Sequence, residues 1–179
     1  IKINHSKLCG LVGTNFPKAF FETLPFDAIT VSPYMGEDSV KPFLRNDGKW
    51  AIVLGLTSNK GAEDFELQKT GDEFLYEKVL QTVSDWGTTD NLMFVIGATQ
   101  SAELMKIRKL TPHHFYLLPG VGAQGGNLKE ISEKAMIKEC GILINVSRAI
   151  IYASGKENFA EAAGKAAKDY QQEMKKYLL

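Results

Sequence analysis

The chain has 179 residues, 44% hydrophobic and 23% charged, with a formal net charge of +0. That is an ordinary globular composition, long enough for one sizeable core and short for two domains. A neutral chain has no global basic field to recruit nucleic acid or anionic membrane, so any anion has to be bound locally.

A weak apolar run at residues 8–12 opens the chain. The first confident strand signal is 26–31 (FDAITV), followed by a turn at 32–36 (SPYMG) and a helix start at Glu37 and Asp38. Two acids in a first turn complement the helix dipole. Next comes 50–56 (WAIVLGL), then the polar turn Thr57, Ser58, Asn59, Lys60, Gly61. Periodicity predicts a helix of about 16 residues after it, with Phe74, Leu75, Val79, Leu80 and Val83 on its apolar face. Residues 92–97 (LMFVIG) form another strand, leading through Ala98, Thr99 and Gln100 to a helix containing Leu104 and Ile107. Residues 115–118 (FYLL) run into a glycine-rich stretch at 119–126, and 142–146 (ILINV) runs into Ser147 and Arg148. An amphipathic helix rich in Ala, Lys and Glu fills the end from Glu157 onward.

These strands are near-continuous apolar runs, which implies burial on both faces, as in a parallel sheet covered by helices. Strand and helix alternate at about 30 residues per unit, the βαβ pattern. No GxGxxG follows the first strand, and the glycine-rich turn comes after the penultimate one instead. Late phosphate loops are the pattern of a (β/α)8 TIM-type barrel, which needs about 250 residues. The fold predicted is α/β, a single barrel domain over residues 1–179 with about six of its eight units.

The sharpest segment is Pro119-Gly120-Val121-Gly122-Ala123-Gln124-Gly125-Gly126-Asn127. Glycines 120, 122, 125 and 126 would let backbone N–H groups converge on an anion, and a helix starting near Leu128 would present its positive end. A flexible connection explains the glycines equally well. Arg148 tips the balance, because it follows the next strand and adjacent strand ends of a barrel face one pocket, where a guanidinium grips phosphate through two bonds. Thr57, Ser58 and Asn59 end another strand and can serve a polar heterocycle or an ordinary cap; Thr99 and Gln100 read more as a helix cap. His113 and His114 precede a strand, at what would be the bottom of the barrel, and read as structural. With His5 they show no metal-ligand spacing, so no metal site is expected. Cys9 and Cys140 read as buried thiols in a reducing compartment. No run approaches about 18 apolar residues and no signal peptide is visible, so the expected location is cytoplasmic.

Taken together, PGVGAQGGN at 119–127 and ILINVSRAIIYAS at 142–154 resemble the last two strand–loop units of orotidine 5′-phosphate decarboxylase. FDAITVSPYMGEDSVKPFL at 26–44 resembles the strand-four region of that family's longer bacterial subgroup. LTSNKGAEDF at 56–65 resembles its strand five, where Lys60 stands at a usual proline, and VIGATQ at 95–100 resembles strand six. SKLC at 6–9 is similar to the first strand. The resemblance implies cofactor-free decarboxylation of orotidine 5′-monophosphate to uridine 5′-monophosphate, in a homodimer with active sites at its interface. By position, Gln124 would bridge phosphate and pyrimidine, Arg148 and the loop with Gly125 and Gly126 would hold the phosphate, and Ser58, beside Thr57, would contact the pyrimidine edge. Thr14 stands where the family has a threonine contacting ribose across the dimer.

The departure concerns the catalytic groups. The family carries Asp-x-Lys-x-x-Asp on strand three, the lysine delivering the proton that replaces the carboxylate. Between 6–9 and the strand-four region the chain reads GLVGTNFPKAFFETLP, with no aspartate. Neither Lys7 nor Lys18 has flanking carboxylates, so no catalytic residue is assigned. Strands two and three, about 60–90 residues at barrel unit sizes, are expected to be absent at a break around residues 9–16. Two other readings stand beside the enzyme: a non-catalytic phosphate- or nucleotide-binding barrel fragment, and a sister barrel enzyme acting on a ribulose- or hexulose-phosphate with a metal ion.

Overall fold

A computed structural model describes residues 3–8, 15–122 and 125–178. Six strands form one sheet: β1 (Ile3–Leu8), β2 (Ala28–Val31), β3 (Trp50–Leu54), β6 (Leu92–Val95), β7 (Phe115–Pro119) and β8 (Ile142–Asn145). All pairings are parallel, and spatial order follows chain order. A doubly wound sheet reverses its strand order at a switch point. Strict sequential order with right-handed crossovers keeps every helix on one side, so the sheet is a barrel wall. Among the described residues β1 and β8 are each paired on one side only, which leaves the wall open between them.

The burial of the strands matches their uninterrupted apolar runs. Ile29, Val31, Ala51, Val53, Leu92, Phe94, Tyr116 and Leu118 face outward. They pack against α3 (Leu75–Ser84), α4 (Leu104–Leu110) and α5 (Leu128–Ala135) through Leu80, Val83, Leu104, Ile107, Leu128 and Ile131. Ala28, Ile52, Met93, Val95 and Leu117 point inward and form a second cluster with Trp50, Leu54, Phe115 and Leu143. Trp50 and Phe115, each the first residue of its strand, meet edge to face at 6.1 Å and fill the bottom of the barrel interior.

Three expectations change. The helix expected after Gly61 is a 3-10 turn (Lys60–Asp64), a two-stranded hairpin of β4 (Lys69–Thr70) and β5 (Glu73–Phe74), and then the ten residues of α3. The cause is Gly71, which takes φ 73° in the Gly71-Asp72 turn and reverses the chain. Apolar spacing reads through such a turn. Leu80 and Val83 are fully buried as predicted, joined by Tyr76 and Glu77. Second, the opening strand lies at Ile3–Leu8 rather than 8–12 and bonds directly to β2, with Ile3 opposite Ala28 and Leu8 opposite Val31. No two strands intervene between β1 and β2 in this sheet; the break expected around residues 9–16 falls mostly on residues 9–14, which lie outside the described residues. Third, Cys140 is half-buried rather than buried, a free thiol in a tight turn at φ 73°, while Cys9 falls outside the described residues.

The remaining helices are short α1 (Asn15–Lys18), α2 (Glu37–Val40) and α6 (Arg148–Ile151), and the long C-terminal α7 (Phe159–Lys175). Among the described residues no helix is long and apolar enough to cross a membrane.

Candidate functional site at the C-terminal strand ends

The turns that follow β3, β6, β7 and β8 form one continuous rim. Gly97, just past β6, donates its N–H to the Leu56 carbonyl at 2.7 Å and lies flat on Ser58. A Cβ on Gly97 would sit 2.7 Å from the Ser58 Cα, closer than packing permits. Next to it Ala98 donates to the Pro119 carbonyl at 2.9 Å, and Gly126 packs on the Ala98 methyl group. Gly122 in turn lies against Ala149 and the Tyr170 hydroxyl, which joins the glycine loop to α6 and α7. The structure therefore assembles Ser58, the glycine loop and the start of α6, which are scattered over 91 sequence positions from 58 to 148 by numbering, along one edge.

The glycine loop is already closed on itself. Gly122 donates to Gly126 at 3.0 Å, Gly125 to Gly122 at 2.8 Å and Gly126 to Gly120 at 3.2 Å. Among the described residues, the N–H groups of Gly122, Gly125 and Gly126 are thus spent inside the loop, whose Gly122 takes φ 75°. The helix start is as predicted: α5 begins at Leu128, and the Asn127 side chain accepts from the Glu130 N–H at 3.1 Å. Ala123 and Gln124 lie outside the described residues, as does Thr14.

Arg148 opens α6 and is exposed, and among the described residues its guanidinium has no hydrogen-bond or ion-pair partner. An exposed arginine at a strand's C-terminal end, beside a glycine loop, is placed to take a phosphate bidentately. Thr57 differs from expectation. Its hydroxyl lies 2.7 Å from Asn59 Oδ1 and 3.0 Å from both oxygens of Glu66, and its N–H donates to Glu66 at 2.6 Å. Those contacts make Thr57 part of the frame. Gln100, read as a helix cap, instead donates to the Thr57 carbonyl at 3.0 Å, across two neighbouring strand ends. Glu66 was not legible as a site residue, since it lies in an aperiodic polar stretch and its partner is nine positions away.

At the opposite end of the strands His114 is buried against the Phe94 ring at 5.3 Å, which accords with a structural role. Burial pushes its imidazole below the usual histidine range, and the Arg108 cation adds to that. His113 is exposed. Behind β8 an apolar cavity of about 340 Å³ lies between Leu128, Ile144, Ile150, Tyr170 and Met174, on the helix side of the wall. Among the described residues no three His, Cys, Asp or Glu side chains cluster in a way that could hold a metal ion.

Comparison with known proteins covers most of the chain. The model of the Orotidine 5′-phosphate decarboxylase / HUMPS family matches residues 14–163. The orotidine 5′-phosphate decarboxylase of Phocaeicola vulgatus is 50% identical over 170 residues, which are 94% of this chain and 62% of that protein. That of Christiangramia forsetii is 55% identical over 159 residues, covering 89% of this chain and 58% of its own length. This chain thus spans about three fifths of these relatives. Among solved structures, Leishmania donovani OMP decarboxylase superposes with a TM-score of 0.81 at 31% identity, covering 96% of this chain and 68% of that one. Leishmania donovani UMP synthase gives 0.77 at 36% identity, covering 88% of this chain and 35% of that one. The fold expected from the sequence, an incomplete barrel of this type, is the fold observed, and the chain belongs to the Orotidine 5′-phosphate decarboxylase / HUMPS family.

Proposed function

We propose that this chain serves the decarboxylation of orotidine 5′-monophosphate to uridine 5′-monophosphate, in pyrimidine nucleotide synthesis, without metal or organic cofactor. The carrying observation is the rim that places Ser58, the 119–127 loop and Arg148 along one edge of a parallel barrel wall. Arg148 holds the phosphate together with Gln124, and Gly125 and Gly126 join them once the loop exchanges its internal bonds for the ligand. Ser58 meets the pyrimidine edge, and Thr57 fixes the turn that carries it. Phosphate binding remote from the reacting carbon then contributes to transition-state stabilisation, as remote contacts do in such enzymes.

The pairing of β1 with β2 bears on the catalytic groups. Since β2 carries the strand-four-like sequence, β1 takes the place of strand three rather than strand one. His5-Ser6-Lys7 then stands at Asp-x-Lys, with histidine for the first aspartate and Gly10 for the second. The lysine position is kept, and both carboxylates are replaced. That substitution favours a second reading, in which the chain binds the nucleotide and turns it over weakly or not at all.

A homodimer fits the exposed apolar residues beside the rim: Tyr34, Met35 and Phe65 are 72%, 54% and 57% exposed, with the Tyr34 and Phe65 rings 5.9 Å apart. Thr14 would meet the ribose of the partner's site. A cytoplasmic location suits a soluble nucleotide substrate and a free Cys140 thiol.

The test is calorimetric titration with uridine 5′-monophosphate and uridine, alongside CO2 release from orotidine 5′-monophosphate. Tighter binding of the phosphorylated compound is expected. Equal affinity for the two would sink the phosphate role, and CO2 release rising in the His5→Asp/Gly10→Asp double variant would separate the enzyme reading from pure binding.

A further inference from the structure

We propose that Glu66 is a positioning residue for pyrimidine recognition, acting on Ser58 through Thr57; this rests on the reading above that Ser58 meets the base. Its carboxylate accepts the Thr57 N–H at 2.6 Å and faces the Thr57 hydroxyl at 3.0 Å. The Thr57 carbonyl is held separately by Gln100 at 3.0 Å, and the Leu56 carbonyl by Gly97 at 2.7 Å. Three backbone groups leading into Ser58, the Leu56 carbonyl and both the N–H and carbonyl of Thr57, are therefore tied down from outside the turn. The turn is gripped by a carboxylate and an amide from outside it, at sequence separations of 9 and 43.

Glu66 is itself anchored. Its carbonyl accepts the Tyr76 N–H at 3.0 Å, at the first turn of α3, and Leu75 donates to Gln68 at 2.8 Å. The long excursion of residues 60–74, with its 3-10 turn and hairpin, thus has a mechanical consequence: it returns one carboxylate to the strand end and fastens it to a helix. No basic side chain is recorded within salt-bridge distance of that carboxylate among the described residues, so Thr57 and not a cation is what it serves. A group holding the serine's backbone sets where its hydroxyl points, without touching ligand.

The experiment is calorimetric affinity for uridine 5′-monophosphate and for ribose 5-phosphate in the parent, Glu66→Ala and Glu66→Gln. Ribose 5-phosphate reports the phosphate grip and lacks the base. Glu66→Ala is expected to lose roughly tenfold in nucleotide affinity, the cost of an unpaired N–H, with ribose 5-phosphate unchanged. Glu66→Gln keeps an accepting oxygen toward Thr57 and is expected within about threefold of the parent. Should Glu66→Ala fail to fold, Gln100→Ala, which frees the Thr57 carbonyl, carries the same comparison with a smaller loss in the same direction. Equal losses for both ligands, or no loss of nucleotide affinity, would overturn the positioning role alone. A parent that does not prefer the nucleotide over ribose 5-phosphate would overturn the base contact of Ser58, and this proposal with it.

Discussion

Two arginines, at opposite ends of the same barrel wall, show how the fold divides its charges between structure and ligand. Arg108 sits at the N-terminal end of the strands, with both terminal nitrogens of its guanidinium bonded to carbonyls and its Nε buried without a partner. Its guanidinium donates to the carbonyls of His114 at 2.7 Å and Ala135 at 2.6 Å, reaches Thr111 at 3.2 Å and Gly141 at 3.3 Å, and stacks 3.8 Å from the Tyr116 ring. It thereby ties α4 to β7, α5 and the entry of β8 with no carboxylate involved. Arg148, at the C-terminal end, is exposed and without a side-chain partner among the described residues. A buried cation whose terminal nitrogens are spent on carbonyls is closed to a ligand, whereas an exposed one at a strand end is open to it. In this molecule burial and carbonyl contacts, more than residue type, separate the structural arginine from the candidate binding one.

The largest effect that would sharpen this contrast is expected from Arg108→Ala. Removing charge-assisted bonds that each contribute about 1.5–3 kcal/mol should lower unfolding free energy by about 3–4 kcal/mol in urea titration. Phosphate-ligand affinity of the folded fraction should stay unchanged. Arg148→Ala should do the reverse: ligand affinity falls by about 2 kcal/mol, or thirtyfold, at an unchanged urea midpoint. If both variants lost stability alike, the division between the two ends would be wrong.

Gly122→Ala is a smaller probe of the upper end. Its φ of 75° disfavours a Cβ, and the added methyl would meet the Tyr170 hydroxyl. A loss of about 1–2 kcal/mol is expected, with Tyr170→Phe recovering the steric part in a double-mutant cycle. The mildest effect is a pH dependence at the lower end. Burial first, and the Arg108 cation second, hold the His114 imidazole below its usual range. The unfolded chain then binds the proton more readily than the folded one. His114 therefore leaves stability untouched above the unfolded pKa near 6.5 and erodes it as pH falls below that toward the lower folded value. Urea midpoints across that window should drop on acidification, and the drop should flatten in His114→Phe.

Much of this fold was readable from local pattern. Continuous apolar runs such as 92–96 gave buried parallel strands, and the glycines after β7 marked a loop with a helix starting near Leu128. The 60–74 segment was misread because Gly71 breaks a helix that apolar spacing carries straight through. The glycine loop lies between β7 and α5 as read, while among the described residues the N–H groups of Gly122, Gly125 and Gly126 are committed internally. Glu66 and Arg108 left no trace in the sequence, since each acts on backbone atoms that only folding brings near.

By itself the sequence determined the class of fold, the late glycine-rich loop and the arginine after the last strand, because those follow from periodicity, turn chemistry and chain order. Tertiary structure decided that β1 lies beside β2, which puts His5, Ser6 and Lys7 on the neighbouring strand. It also decided which arginine keeps its donors free and which carboxylate holds the Ser58 turn. Strand adjacency, burial and carbonyl contacts are sums over distant partners, and no window along the chain contains them.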